Sequence, residues 1–118
     1  MENKKNNDAG KAALIDRWGD GVEQLLSDSR VTLTLDEIQV KLKKPVVTNG
    51  NPEPTKVLVI KDEPTALDLR AMDEAGKDND VSKNMYYLAS WLGVPRTEFN
   101  KLSASDYMLL QSVGDIFL

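Results

Sequence analysis

The sequence predicts an α+β fold in which the strands come first and the helices follow. Residues 31–60 contain alternating and β-branched apolar segments, which are typical of strands. Residues 65–118 carry apolar side chains at helical spacing. The period changes within residues 56–73, where the β-branched run 57–60 is followed by a Pro-Thr pair. Pro lacks a strand N–H and Thr is a good helix N-cap, so this segment marks a strand-to-helix corner.

Composition excludes several classes of function. The chain has 118 residues, the length of one domain, and a formal net charge of −4. Nucleic-acid binding needs a basic surface, so we expect none. The chain has no Cys and no His, which excludes disulfides, thiol catalysis, serine–histidine catalysis and the usual zinc sites. We therefore expect a chain that is not an enzyme and that needs no metal and no cofactor.

The sequence also gives no sign of a membrane location. Its longest apolar runs are a handful of residues, whereas a spanning helix needs about 20. The first residues are polar and lead into no apolar run of the kind that a secretory signal contains. We therefore expect no membrane interaction, and the absence of Cys is compatible with a reducing cytoplasm.

The pattern divides the chain into residues 1–30, a polar tail with an amphipathic helical arm, and residues 31–118, a single α+β domain. Residues 1–10 are polar and lack periodicity, which predicts a disordered tail. In residues 11–29, two glycines interrupt a helical stripe. This segment is either two short helices with a break or an arm that folds on a partner. The stripe consists of Leu14, Trp18, Val22 and Leu25.

Trp18 therefore has two interpretations. It covers the core of its own domain, or it docks on a partner or a neighbouring subunit.

Residues 31–42 alternate between apolar and polar side chains, and the parity changes at 36–37. A bulge or a short corner would absorb this change, which leaves room for a third short strand. Asn49-Gly50 favours a tight hairpin turn, but the two prolines that follow favour a longer, partly open loop. We expect residues 57–60 to return antiparallel to residues 38–42, with one face covered by the C-terminal helices.

The C-terminal half predicts about three helices. Thr65 and Asp68 approximate a capping box at the first helix start. Residues 81–92 form an amphipathic helix that ends at Gly93 in a left-handed conformation. A helical turn at 96–101 presents Phe99, and Ser103, Tyr107 and Phe117 belong to the last helix. Strand alternation and helical stripes together predict one core made of Ile38, Val40, Leu42, Val57, Val59, Leu69, Leu88, Leu92, Leu110 and Val113.

The aromatic side chains are the best candidates for partner contact. Tyr86 lies off the apolar face of its helix, which predicts an exposed ring. Trp91 and its neighbour Tyr87 either pack against the hairpin or form a binding surface. The helical arm and the apolar run 116–118 together are more apolar surface than two segments normally expose. We expect self-association through one of them.

Several segments from about residue 38 onward stand in an order that resembles a known family. That family is the tail assembly chaperones of contractile-tailed phages, the E-type and Mu-like group. The resemblance covers about two-thirds of the chain, and residues 1–35 extend beyond it. The segments are Val57-Leu58-Val59-Ile60, Pro64-Thr65, Asp68-Leu69-Arg70, Leu88-Ala89-Ser90-Trp91-Leu92-Gly93-Val94-Pro95, Leu102-Ser103-Ala104-Ser105-Asp106-Tyr107 and Val113-Gly114-Asp115-Ile116-Phe117-Leu118.

This resemblance implies a non-enzymatic protein in the cytoplasm of a bacterial host. Such a protein binds the apolar, helical tape measure protein and keeps it soluble until the tail tube polymerises around it. Together with the aromatic positions, the resemblance makes Trp18, Tyr86, Trp91 and Phe117 the candidate contacts with the tape measure protein. We also expect the chain to form a homo-oligomer. The alternative is a small non-enzymatic phage structural or regulatory interaction protein.

Overall fold

The strands form one three-stranded antiparallel sheet in the order β1-β2-β3. The computed structural model describes residues 2–75 and 80–117, with side chains for residues 10–74 and 82–117. The strands are β1 (Val31–Leu33), β2 (Ile38–Thr48) and β3 (Asn51–Ile60). The inward face of the sheet packs in one core with helical residues, so the predicted α+β class is confirmed.

The N-terminal segment forms α1 (Glu2–Trp18), then a 3-10 helix over Asp20–Leu25. Gly19 separates the two with φ 100°, a value that favours glycine. The interpretation as two helices with a glycine break is confirmed. The predicted disordered tail is not confirmed, because α1 begins at Glu2. An established helix gains one hydrogen bond with each residue that it adds.

The parity change at 36–37 is neither a bulge nor a corner but a chain reversal. β1 pairs antiparallel with β2, with Val31 opposite Val40 and Leu33 opposite Ile38. The Thr34 hydroxyl accepts the backbone N–H of Glu37 at 3.0 Å and so holds the turn. The third short strand is therefore present.

The β2–β3 connection is tighter than predicted. Thr48 pairs with Asn51 across a two-residue turn in which Gly50 has φ 79°. The longer open loop is wrong because both prolines, Pro52 and Pro54, lie in β3. β3 is an edge strand, where a missing N–H is tolerated.

The register of β3 corrects the predicted core. Ile38 pairs with Ile60 and Val40 with Leu58, so Leu58 and Ile60 face the core. Three predicted core residues are instead exposed; they are Val57 (39%), Val59 (48%) and Leu69 (40%). The parity was wrong because residues 57–60 are all apolar and contain no polar residue that would identify the outward face.

The helical half begins with α2 (Ala66–Arg70), whose Thr65–Asp68 capping box is confirmed, and a 3-10 helix over Ala71–Ala75. The remaining helices are α3 (Asp80–Leu92), α4 (Arg96–Phe99) and α5 (Ala104–Asp115). A polar loop was predicted for residues 75–80, of which residues 76–79 lie outside the described chain.

The predicted end of α3 is confirmed in detail. Gly93 has φ 67°. The N–H of Val94 donates to Ala89 O at 3.0 Å, and that of Gly93 donates to Ser90 O at 3.4 Å. These are the two hydrogen bonds of a Schellman motif. The Gly93 carbonyl also accepts the N–H of Asn49 at 2.7 Å, which fixes the β2–β3 turn against the end of α3.

A buried carboxylate on α5 holds the irregular part of β2. The ladder loses regular register between Lys41 and Val46, and Asp106 accepts the freed N–H groups of Lys43 and Lys44. Asp106 is fully buried and also pairs with the guanidinium of Arg30. Burial by itself raises the pKa of Asp106, but the hydrogen bonds from these donors outweigh it, and the pKa is lowered.

Candidate partner-binding surfaces

Three of the four predicted contact residues meet in one aromatic cluster, which we define as Trp18, Tyr87, Trp91 and Phe117. The Phe117 ring lies edge-on to Trp91 at 5.3 Å and to Trp18 at 6.1 Å between ring centroids. Tyr87 stacks on Trp91 at 6.2 Å, as expected for residues four positions apart on a helix. The cluster thus joins α1, α3 and the segment after α5.

Both indoles of the aromatic cluster are fixed by backbone carbonyls. The Trp18 N–H donates to Thr34 O at 2.8 Å, and the Trp91 N–H donates to Asp62 O at 2.9 Å. Arg17 joins the same two regions, since its guanidinium donates to the carbonyls of Leu35 and Lys61. The aromatic cluster is therefore anchored at one end of the sheet, where the β1–β2 turn lies beside the end of β3.

The members of the aromatic cluster differ in exposure. Trp18 is 3% exposed and belongs to the core of its own chain, while Trp91 and Phe117 are half-buried. Tyr87 is buried, and among the described residues its hydroxyl has no hydrogen-bond partner. Burial first, and the negative charges of Asp68 and Asp115 second, raise the pKa of Tyr87 to about 12. Only the outer parts of Trp91 and Phe117 are accessible to a partner.

The fourth predicted residue, Tyr86, lies away from the aromatic cluster in a notch between α3 and α4, which we call the Tyr86 notch. Its volume is about 180 Å³. Met85 and Phe99 supply apolar surface, and Tyr86 and Arg96 supply amphipathic walls. The full lining is Ser82, Met85, Tyr86, Arg96, Phe99 and Asn100.

The rim of the Tyr86 notch is ordered by one arginine. The Arg96 guanidinium lies over the Tyr86 ring at 3.9 Å and forms an ion pair with Glu74. A cation on an aromatic face stabilises by about 0.5–1 kcal/mol at an exposed site. Tyr86 is therefore held at the surface with one side of its ring covered, and the notch is preformed.

A second concave surface follows the outer strand of the sheet. We call it the β3 edge groove; its volume is about 370 Å³. Val57 and Val59 of β3 form one side, and Leu92 and Gly93, at the end of α3, form the other. Sequence reasoning missed this groove because it placed both valines in the core.

Other exposed apolar side chains stand singly. Leu67 on α2 is 71% exposed and Met108 on α5 is 64% exposed, and isolated exposures of this kind are normal. Within the described residues no group of three or more acidic side chains is arranged to hold a metal ion. No helix in this part of the chain is long and apolar enough to cross a membrane. The concave surfaces suit protein contact.

Comparison with known proteins agrees with a role in protein contact. A family model described as "Phage tail assembly chaperone proteins, E, or 41 or 14" matches residues 39–118. Among the curated proteins and among the solved structures, nothing matches the chain. The matched span contains β2 from its second residue, β3 and the described helices after them, including the Tyr86 notch and the β3 edge groove. The chain therefore belongs to the phage tail assembly chaperone family.

Proposed function

We propose that this chain binds the tape measure protein of a phage or prophage tail and keeps it soluble in the host cytoplasm during tail assembly. Family membership supplies the setting, and the Tyr86 notch is the observation that supports a specific contact. A tape measure protein presents apolar helical surface, and such surface needs a preformed apolar recess on a binding partner. The role requires binding alone, without catalysis.

The Tyr86 notch suits one anchoring side chain of a helix. Its apolar part, Met85 and Phe99, would receive an aliphatic or aromatic side chain, while Arg96 and the Tyr86 hydroxyl would meet polar groups beside it. Tyrosine and arginine are enriched among the residues that dominate interface energies. The exposed parts of Trp91 and Phe117 would extend the contact. Trp18 would contribute indirectly, because its buried ring packs against the Phe117 ring.

The decisive experiment is co-expression with the tape measure protein encoded by the same genome. We expect the tape measure protein to be soluble and to co-purify only when this chain is present. Tyr86→Ala should weaken the complex by about 1–2 kcal/mol, which is a loss of roughly five- to thirtyfold in affinity. Because apolar burial is not screened, the affinity should depend weakly on salt.

Met108→Ala is the matched control. Met108 is a large exposed apolar residue on α5 and does not line the Tyr86 notch. Met108→Ala should melt like the parent chain, and Tyr86→Ala should lose no more than the stabilisation of its contact with Arg96, about 0.5–1 kcal/mol. Only Tyr86→Ala should lose affinity. If the tape measure protein is equally soluble alone and the two do not co-purify, the proposal is wrong, and the structural or regulatory alternative takes its place.

A further inference from the structure

The Tyr86 notch carries a positive charge on a chain that is negative overall. Among the described residues, Arg96 is the one charged residue of its lining, and no acidic side chain lines it. The formal net charge of the whole chain is −4. An apolar recess with a cation at its rim is complementary to an apolar side chain that has a carboxylate beside it.

Most of the hydrogen-bonding capacity of Arg96 is unused within the described chain. A guanidinium carries several N–H donors in one plane. The hydrogen bond of this guanidinium to the Glu74 carboxylate is made by Nη2. The contact with the Tyr86 ring, 3.9 Å from Cζ to the ring centroid, uses no N–H group as a donor to oxygen. The remaining donors of Arg96 can therefore bind a further carboxylate.

Glu74 lies where it competes with such a carboxylate. It belongs to the 3-10 helix over Ala71–Ala75 and does not line the Tyr86 notch. The side chains of Glu74 and Arg96 are 59% and 45% exposed, and an ion pair between exposed groups contributes little stability. Glu74 therefore reduces the positive potential at Arg96 while the notch itself stays open.

We infer that the Tyr86 notch selects helical partner segments in which an acidic residue lies one turn from the apolar anchor. The anchor enters between Met85 and Phe99, and the carboxylate accepts N–H groups of Arg96. Residues three or four positions apart lie on the same side of a helix, so one helix can present both groups. The inference rests on the proposed function, because it assigns a sequence preference to the same site.

The first experiment compares three cross-linked helical peptides that share a stripe of leucines. They differ at one position beside the stripe, which is Glu, Gln or Lys. Binding to the full chain is followed by NMR through the signals of Met85 and Tyr86. We expect the Glu peptide to bind about two- to fivefold more tightly than the Gln peptide, and the Lys peptide to bind most weakly. Added salt should reduce these differences and leave the Gln peptide unaffected.

The second experiment repeats the titrations with charge variants of the notch. Arg96→Gln should bind the Glu and Gln peptides equally, whereas a merely structural change would weaken both and keep their ratio. Glu74→Gln should bind the Glu peptide about twofold more tightly than the parent does and leave the Gln peptide unchanged. Glu53→Gln is the matched control, since it removes the same charge from an exposed residue of β3 outside the notch.

Equal affinities for the three peptides, or no change in the notch signals with any of them up to millimolar concentration, would overturn the inference. An effect of Glu53→Gln as large as that of Glu74→Gln would also overturn it, because the charge of the whole chain would then be responsible.

These outcomes are separable from the co-expression test. If the tape measure protein co-purifies but the peptides show no preference, the inference fails and the proposed function stands. If the peptides show the preference but the tape measure protein does not co-purify, the notch binds acidic helical segments of a different protein, and the proposed function fails alone.

Discussion

Asp106 accepts the backbone N–H of Lys43 through both carboxylate oxygens, at 2.9 and 3.1 Å, from inside the core. One side chain on α5 thus replaces ladder bonds that β2 loses at its irregularity. Because the same carboxylate neutralises the guanidinium of Arg30, its removal would leave Arg30 without its counterion and two backbone N–H groups without their acceptor.

Asp106→Asn should therefore be strongly destabilising. The amide retains one acceptor, but its NH2 group would face N–H donors, so we expect a loss of about 2–4 kcal/mol in the free energy of unfolding. Denaturant melts followed by circular dichroism measure it. Glu98→Gln is the control: Glu98 accepts the N–H of Val47 at 3.3 Å in a more open position, and its amide should change the midpoint little. Equal midpoints for the two variants would contradict this account.

Acid should weaken the fold through the same residue. The pKa of Asp106 is lower in the folded chain than in the unfolded one, so its contribution is fully present above the unfolded pKa of about 4. The contribution is lost as the pH falls from that value through the lower folded pKa. Denaturant melts at stepped pH should give a steeper decline for the parent than for Asp106→Asn. Parallel curves would show that Asp106 does not titrate in this way.

Tyr87→Phe should leave stability unchanged or raise it. The buried hydroxyl of Tyr87 has no partner among the described residues, so its removal costs no hydrogen bond while the ring keeps its contact with Trp91. Tyr107→Phe is the comparison, since Tyr107 is only half-buried. A loss of more than about 1 kcal/mol in Tyr87→Phe would indicate a hydrogen bond that this account lacks.

The phenol titration gives a second readout on Tyr87. Its pKa of about 12 lies above the ordinary value of 10, so stability that is present below pH 10 should decline as the pH rises towards 12. Burial also raises the pKa of Tyr107 above the ordinary value. In an absorbance titration of the parent, Tyr87 should supply a late component near pH 12. This late component should be missing from Tyr87→Phe.

Two glycines should respond to alanine in opposite directions. Gly93 has φ 67°, and a side chain there is strained even though no atom lies within 4 Å of the added Cβ. We expect Gly93→Ala to cost about 1–2 kcal/mol. Gly10 lies inside α1, where an added Cβ would make an ordinary contact with Leu14 Cγ at 3.9 Å, so Gly10→Ala should gain about 0.5–1 kcal/mol. Thermal melts of the two variants should shift to opposite sides of the parent.

Local chemistry made the ends of the helices predictable. The Thr65 cap, the Ser103 cap and the Gly93 stop follow from residues whose preferences act within one turn of chain. The parity of β3 was not predictable in this way. It depends on which residue of β2 lies opposite, and β2 changes register near Pro45 because of a carboxylate on α5 that lies far away in sequence.

For the candidate surfaces, too, local features could be predicted from the sequence and long-range contacts could not. Tyr86 departs from the helical stripe of α3, which predicted an exposed ring, but the structure leaves Tyr86 half-buried with Arg96 over one face. The chain sequence alone did not indicate that Trp18, Trp91 and Phe117 would contact one another, since aromatic identity carries no information about long-range neighbours. The β3 edge groove depends on the strand order, which sequence reasoning left open.

The contact between Trp18 and Phe117 also has a consequence for synthesis on the ribosome. Trp18 emerges early, and the ring that covers it emerges almost the whole length of this sequence later. Until then the part of the indole that the Phe117 ring meets lacks its partner, although the neighbouring Arg17 lies over the ring at 3.8 Å. A member of the tail assembly chaperone family therefore passes through a stage in which part of its own apolar surface is unprotected.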